Sequence, residues 1–325
     1  GKEPENFVAA VGYGSRTGRF ETVLRGQHFY SSLRLSPDHR RLAWLSWRHP
    51  NMPWDGTELW VAELDGLGMP KTPRLVAGGA AVSILQPEWD ISSGGLHFIS
   101  DQSGFWNLYR WDGPGRMVPR CPRPADFGAP QWVFGMSTYC ALPDGDILCT
   151  LTEGGVWRLA LLGATAQDLR LLDLPYTEYF TLRSAPDGAA LLVASPTVST
   201  SLMHYDIQTR ELRPLRRYGA PGPSSEAPAV DIGRISEPSP VEYLSDDGLK
   251  AYGLFYPPRH PGYEAPDGEK PPLLVRCHGG PTSQASTGLN LRIQYWTSRG
   301  FAVLEVNYRG SSGYGRAYRD ALRGQ

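Results

Sequence analysis

The chain has 325 residues, and its 32 Lys and Arg against 33 Asp and Glu leave a formal net charge of −1. That balance argues against a nucleic-acid binder or a protein held on an anionic membrane surface, both of which concentrate positive charge. Apolar residues make up 41% and aromatics 11% of the chain, enough for a large core, so global disorder is excluded.

No apolar run approaches the roughly 18 residues that a membrane-spanning helix needs. The first twenty residues lack the apolar stretch of a signal peptide. Four Cys with no C-x-x-C spacing are too sparse for a disulfide framework, and the cytoplasm is the expected compartment. Cys140 and Cys149 flank Pro143-Asp144-Gly145-Asp146 symmetrically and are expected to face each other across a hairpin. They read as two buried thiols, with a cross-strand disulfide as the alternative. The content of 37 Gly and 29 Pro predicts many tight turns.

Taken in chain order, two patterns repeat up to about residue 217. One is a hairpin with an alternating first strand, seen at Asn6–Arg25, Glu58–Ala77, Asn107–Pro119, Val156–Asp173 and Ser201–Arg216. Its equivalent points, Val8, Trp60, Leu108, Trp157 and Met203, recur 46 to 52 residues apart. The other precedes each of the last four hairpins: a polar turn that opens a strand. It runs Ser36-Pro37-Asp38 before RRLAWLSW, Asp90 to Gly95 before LHFIS, Pro143-Asp144-Gly145 before DILCTL, and Pro186-Asp187-Gly188 before AALLVAS. Pro presets such a turn, Asp bonds the backbone beyond it, and Gly takes the positive φ. The strands have period two and no sustained helical period.

Four strands per unit of about 45 to 50 residues is the blade of a β-propeller, and one such sheet cannot bury its faces alone. The alternative is an ordinary β-sandwich with coincidental hairpins, against which the constant spacing argues. Four whole blades are expected over about 27–215, with the outer half of a fifth before them and no helix longer than two turns. Trp60, Trp106 and Trp157 are expected in the blade cores.

Around Tyr218 the composition turns to Pro, Ser and Gly, which reads as a linker. The expected division is 1–217 partial β-propeller, 218–240 linker, and 241–325 the N-terminal part of an α/β domain. In that last part a hairpin runs from Val241 to Tyr256 about Ser245–Gly248. A short buried strand follows at 273–277, a helix near 288–299 stopped by Gly300, a buried strand at 301–307, and a second helix from Arg316 to Leu322. Strand, helix, strand, helix after a hairpin predicts a sheet with parallel strands.

The motif with chemistry ends the first of those strands: Cys277-His278-Gly279-Gly280-Pro281. Two glycines let backbone approach a substrate closely, and an N–H there can donate to a developing oxyanion. An H-G-G-P could equally be a tight turn. Its place between a parallel strand and a helix, where hydrolases carry a His-Gly-Gly oxyanion loop, favours the functional reading.

With the propeller units, the hairpin, LLVRCHGGPTSQ and FAVLEVNYRGSSGYGRAYRDAL, the chain resembles the prolyl oligopeptidase family of serine peptidases over essentially its whole length. It is most like the acylaminoacyl-peptidase and dipeptidyl-aminopeptidase-like bacterial members. The resemblance implies a propeller, usually seven-bladed, over an α/β-hydrolase domain, with a Ser-Asp-His triad between them. It implies the Gly280 N–H as one oxyanion donor within the loop His278–Gly280, and a second donor after the nucleophile. Where relatives offer a Tyr hydroxyl, this sequence offers His278. No serine here has Gly two residues before and two after it, and Gly310-Ser311-Ser312-Gly313 fails on spacing. The triad and the opening blades are therefore expected outside these residues, the chain being an internal piece of a longer protein. With no nucleophile-bearing strand to pair it, the 273–277 strand is expected to have an open edge, and with the helices of one sheet face also outside, Leu274 and Val303 are expected to be exposed.

Other candidates carry less chemistry. His278 reads as a structural or oxyanion-loop residue rather than a general base. His28, His39, His49, His97, His204 and His260 show no metal spacing. Arg309 either holds its loop or touches substrate. Gly310, Gly313 and Gly315 lack the Lys-Ser/Thr ending of a phosphate loop. Glu88 and Asp101 either cap turns or capture a substrate's amino terminus.

The expected activity is cleavage of amide bonds near the N-terminus of small peptides or aminoacyl amides, without a cofactor. The alternative is a non-catalytic propeller that binds a peptide or partner. Neither nucleic acid nor membrane is expected as a partner, and the oligomeric state stays open.

Overall fold

The computed structural model describes residues 4–12, 20–164, 168–217, 231–264 and 266–325. Up to Arg217 every regular element in those residues is a strand. β1 (Val8–Val11) and β2 (Phe20–Leu24) pair antiparallel as a two-stranded sheet. Four antiparallel sheets of four strands follow, each in sequence order. They are β3 (Phe29–Leu35) to β6 (Pro70–Gly79), through β4 (Arg41–Trp47) and β5 (Thr57–Leu64); and β7 (Ile84–Trp89) to β10 (Met117–Pro119), through β8 (Leu96–Ser100) and β9 (Asn107–Trp111). Next come β11 (Tyr139–Ala141) to β14 (Leu169–Leu171), through β12 (Ile147–Glu153) and β13 (Val156–Leu162), and β15 (Glu178–Ala185) to β18 (Leu212–Arg217), through β16 (Gly188–Ser195) and β17 (Val198–Asp206).

These are propeller blades, and the repeat lies on them in register. Trp60, Leu108, Trp157 and Met203 all fall on the third strand of their sheets, and the strands after the polar turns are all second strands. The turn chemistry is as the residue types dictate. The Asp206 carboxylate accepts from the N–H of Gln208 (2.9 Å) and Thr209 (3.0 Å). At Gly188, φ is +156° and a side chain would collide with the Tyr205 carbonyl. Trp106 is fully buried. Trp60 and Trp157 are half-buried and pack against the margins of their cores.

Two compact units arise from the contacts: Gly1–Arg123 with Pro130–Met136, and Pro124–Ala129 with Ser137–Gln325. In the first, Leu45, Leu59 and Val61 share a core with Ile84, Leu96, Phe98 and Tyr109. In the second, Leu148, Leu159 and Leu161 pack with Tyr179, Leu191, Val193 and Tyr205. That unit also contains everything after Arg217. The expected linker falls partly outside the described residues, at 218–230. Its described end holds a 3₁₀ turn, Ile232–Arg234, capped by the Asp231 side chain.

Beyond the linker lies a mixed sheet in the order β19 (Ser239–Leu244), β20 (Lys250–Tyr256), β22 (Ala302–Asn307), β21 (Leu273–Cys277). β19 and β20 form the expected hairpin, β20 meets β22 antiparallel, and β21 and β22 run parallel from Leu273↔Ala302 to Cys277↔Val306. α1 (Leu291–Thr297) is shorter than its expected span because Asn290 caps it, accepting from the Arg292 N–H. α2 spans Gly315–Asp320.

Three expectations need correction. The 273–277 strand is not buried: Leu273 is 50% and Val275 59% exposed, because β21 lies at the sheet edge and only one of its faces is covered. The expected exposure of Leu274 and Val303 falls on the wrong face. Val303 is fully buried, and Leu274 packs with it beneath Ile293 of α1, beside Leu254 and Tyr256. Cys140 and Cys149 do not face each other, since Cys140 opposes Leu148 and Tyr139 opposes Cys149. A register one residue from the symmetric one puts the two thiols on opposite faces of the hairpin. Both are buried free cysteines.

Candidate oxyanion loop

β21 delivers the chain to the carboxyl end of two parallel strands, where His278, Gly279 and Gly280 follow at once. Gly280 adopts φ +144°, and a Cβ there would lie 2.9 Å from the Thr282 nitrogen, so the backbone bend needs glycine. At Gly279 a Cβ would meet nothing within 4 Å, and both residues are exposed, which leaves room for a ligand atom beside the loop.

The segment that follows β22 holds this loop in place. The His278 ring stacks on Tyr308, centroids 4.6 Å apart and planes 20° apart. The Tyr308 hydroxyl donates to the His278 carbonyl (3.1 Å). His278 Nδ1 faces the Gly279 carbonyl at 2.9 Å and Nε2 faces the Ser311 hydroxyl at 2.8 Å. A neutral ring with its proton on Nδ1 satisfies both contacts, with Ser311 donating to Nε2. Both ring nitrogens are thus engaged, and together with the Tyr308 stack they fix the orientation of the imidazole.

Further along, Ser312 N–H donates to the Ser283 carbonyl (2.7 Å). Asn307 is fully buried: its Oδ1 accepts from Ala285 N–H (2.7 Å) and its Nδ2 donates to the Tyr314 hydroxyl (2.9 Å). Tyr314 stacks on Tyr252 at 4.2 Å, and burial pushes its hydroxyl pKa up to about 12. Asn307, Tyr308, Ser311, Ser312 and Tyr314 all belong to the stretch NYRGSSGYG. From sequence only Arg309 of that stretch drew a role. Its periodicity carries no further signal, since these side chains act by reaching back across the strand to another loop.

Arg309 is committed elsewhere. Its guanidinium forks onto Asp247 at 2.6 and 2.9 Å and reaches the Ser245 hydroxyl at 3.3 Å, tying the β19–β20 turn to the end of β22. The Arg309 hydrogen bond, with those from Ser245 and the Leu249 N–H, holds the Asp247 carboxyl well below the usual carboxylate range.

The acidic candidates of the blades are also engaged. Glu88 takes a bidentate pair from Arg34 (2.9 Å each), and buried Asp101 accepts from Ser83 N–H (2.7 Å). Among the described residues, Asp187, His204 and Asp206 cluster at metal-ligand distances. His204 Nε2 contacts Asp187 at 2.8 Å while Arg213 donates to its Nδ1 (3.3 Å). Arg213 also pairs with Asp187 at 3.8 Å, so these side chains form a charged network beside the turn that opens β16.

Two further contacts tie the region to propeller loops of the same unit, the β12–β13 turn and the segment before β11. Gln284 Nε2 reaches the Gly155 carbonyl (3.4 Å), and the buried Asp126 carboxylate accepts from Gly315 N–H (3.1 Å).

Residues 287–325, which include this bracing stretch, match the model described as the prolyl oligopeptidase family. That segment carries prolyl oligopeptidase family sequence. A puromycin hydrolase structure is 34% identical over 94% of this chain, with a TM-score of 0.85. A puromycin-hydrolyzing peptidase from Mycobacterium tuberculosis is 36% identical over 94%, with a TM-score of 0.86. The human acylamino-acid-releasing enzyme is 30% identical in an alignment of 193 residues that covers 52% of this chain. The chain spans 45% and 46% of the two structures, and the match takes in 26% of the human enzyme. Among the described residues no helix is long and apolar enough to cross a membrane.

Proposed function

We propose that this chain supplies the propeller blades and the oxyanion loop of a serine peptidase that hydrolyses small peptides or aminoacyl amides near their N-terminus. The observation that carries the reading is the glycine pair at the carboxyl end of β21, braced by the family stretch NYRGSSGYG. In the mechanism, Gly280 N–H donates to the oxyanion of the tetrahedral intermediate. Gly279 lets the backbone approach, and His278 holds the bend through Tyr308 and Ser311. Serine, aspartate and histidine come from sequence outside residues 1–325, and acyl transfer by that triad needs no cofactor. The domain division of this reading is 1–217 propeller, 218–240 linker and 241–325 hydrolase start, in a cytoplasmic protein. Similarity to enzymes named for acylamino-acid release and puromycin hydrolysis supports the substrate class.

The test uses the full-length protein, a fluorophosphonate probe, and hydrolysis of puromycin and aminoacyl anilides. Labelling and turnover are expected, with turnover falling about 10²- to 10³-fold in Gly280→Ala, whose Cβ displaces the donor. A protein that is neither labelled nor active refutes the reading and leaves a binding module.

A further inference from the structure

Near the far end of the loop that begins at Gly279, the bracing passes from the hydrolase sheet to a blade. Glu178 is the first residue of β15, the first strand of its sheet. Its carboxylate accepts from the Thr287 N–H at 2.8 Å, and bonds from Ser286 and the Gly288 N–H converge on it as well. The neighbouring Thr177 repeats the attachment: Thr287 Oγ1 donates to its carbonyl (3.1 Å) and lies 2.8 Å from its hydroxyl. At Gly288 a Cβ would stand 2.9 Å from Glu178 Oε2, so a side chain there would push the carboxylate aside. Glu178 is half-buried here, and burial pushes its carboxyl above the ordinary value.

Between Gly280 and Thr287 the loop backbone is also anchored from the hydrolase side, Pro281 by the Tyr308 hydroxyl, Ser283 by Ser312 N–H, Ala285 by Asn307 and Ser286 by the Tyr256 hydroxyl, so Glu178 and Thr177 are what attach its far end to the propeller. We infer that Glu178 is a positioning residue: a propeller carboxylate that clamps residues 286–288 and so sets where the Gly280 N–H points. The inference rests on the oxyanion role proposed above for Gly280. Its physical content is that donor direction must be preset to within a few tenths of an ångström, and a misplacement of about 1 Å costs up to about a hundredfold in rate. The blade is thereby part of the reaction's geometry.

The experiment compares wild type, Glu178→Ala, Glu178→Gln and Gly288→Ala in the full-length protein. It measures kcat and KM on an aminoacyl anilide, thermal melting, and hydrogen exchange of the peptide covering 278–290. Glu178→Ala is expected to lower kcat ten- to a hundredfold with KM within about twofold, and to speed exchange over 278–290. Glu178→Gln keeps a carbonyl for Thr287 N–H and recovers most of the rate. Gly288→Ala, which attacks the same contact from the loop side, reproduces the loss should Glu178→Ala fold poorly.

A rise in KM at constant kcat overturns the inference, since Glu178 then contacts substrate. A lower melting temperature with kcat and exchange unchanged overturns it too, the residue being structural only. Wild type without turnover or fluorophosphonate labelling refutes the proposed function, and the exchange comparison still decides whether Glu178 holds the loop.

Discussion

Asn307→Leu tests how the two loops depend on each other. The substitution nearly preserves volume but removes both polar contacts of a fully buried side chain. Ala285 N–H, itself in a buried residue, loses its acceptor at 2.7 Å, an orphaned donor worth about 1–3 kcal/mol. The Tyr314 hydroxyl loses its donor at 2.9 Å, about 1 kcal/mol more. The whole chain should therefore lose about 2–4 kcal/mol, read as a lower urea midpoint at unchanged slope. Tyr314→Phe alone should cost about 1 kcal/mol. In the Leu background it should cost close to nothing, because its partner is already gone. A Leu variant within about 0.5 kcal/mol of wild type, or strict additivity of the pair, refutes the account of Asn307 as the bridge between the loop and the NYRGSSGYG stretch.

Other outcomes follow from single contacts. His97 is 4% exposed, and burial, aided by the Arg120 charge, lowers its pKa from 6.5 to about 4. Between those values the unfolded chain binds a proton that the folded ring refuses, so stability should climb with pH by about 3 kcal/mol across that window. Urea titrations at pH 4 to 7 should show the slope, and His97→Gln should flatten it. Gly188→Ala should cost about 2 kcal/mol or more, because the new Cβ meets the Tyr205 carbonyl; a variant melting like wild type would contradict the turn geometry. Under native conditions a maleimide should label Cys277 first, with Cys121, Cys140 and Cys149 reacting only on unfolding, and four thiols titrating in urea without reductant. Arg309→Met should leave KM within about twofold in the full-length protein, since the guanidinium is spent on Asp247; a KM increase of tenfold or more would make it a substrate contact.

The blades were legible in the sequence because each repeats the same local chemistry. Pro186-Asp187-Gly188 and its counterparts set turns within a few residues, and period-two strands such as ILCTL follow from the turn alone. The glycine pair was legible for the same reason, since the bend at Gly280 is a property of one residue's backbone. Sidedness and reach were not legible. An apolar run such as LLV does not say which of its faces a helix will cover: the expectation that covering helices are missing leaves Leu274 exposed, whereas α1 covers Leu274 and Val275 stays open. The hairpin of Cys140 and Cys149 turned on a shift of one residue, which symmetry about Pro143–Asp146 leaves undetermined.

The bracing of His278 by Ser311, of Ala285 by Asn307 and of Thr287 by Glu178 joins residues 22 to 109 positions apart. Local pattern determined where the strands, turns and glycines fall, because those preferences are settled by neighbours in the chain. Only the tertiary structure decided which polar side chain meets which backbone group. Such pairings form where packing brings distant segments together and removes water, and no periodicity along the sequence encodes them.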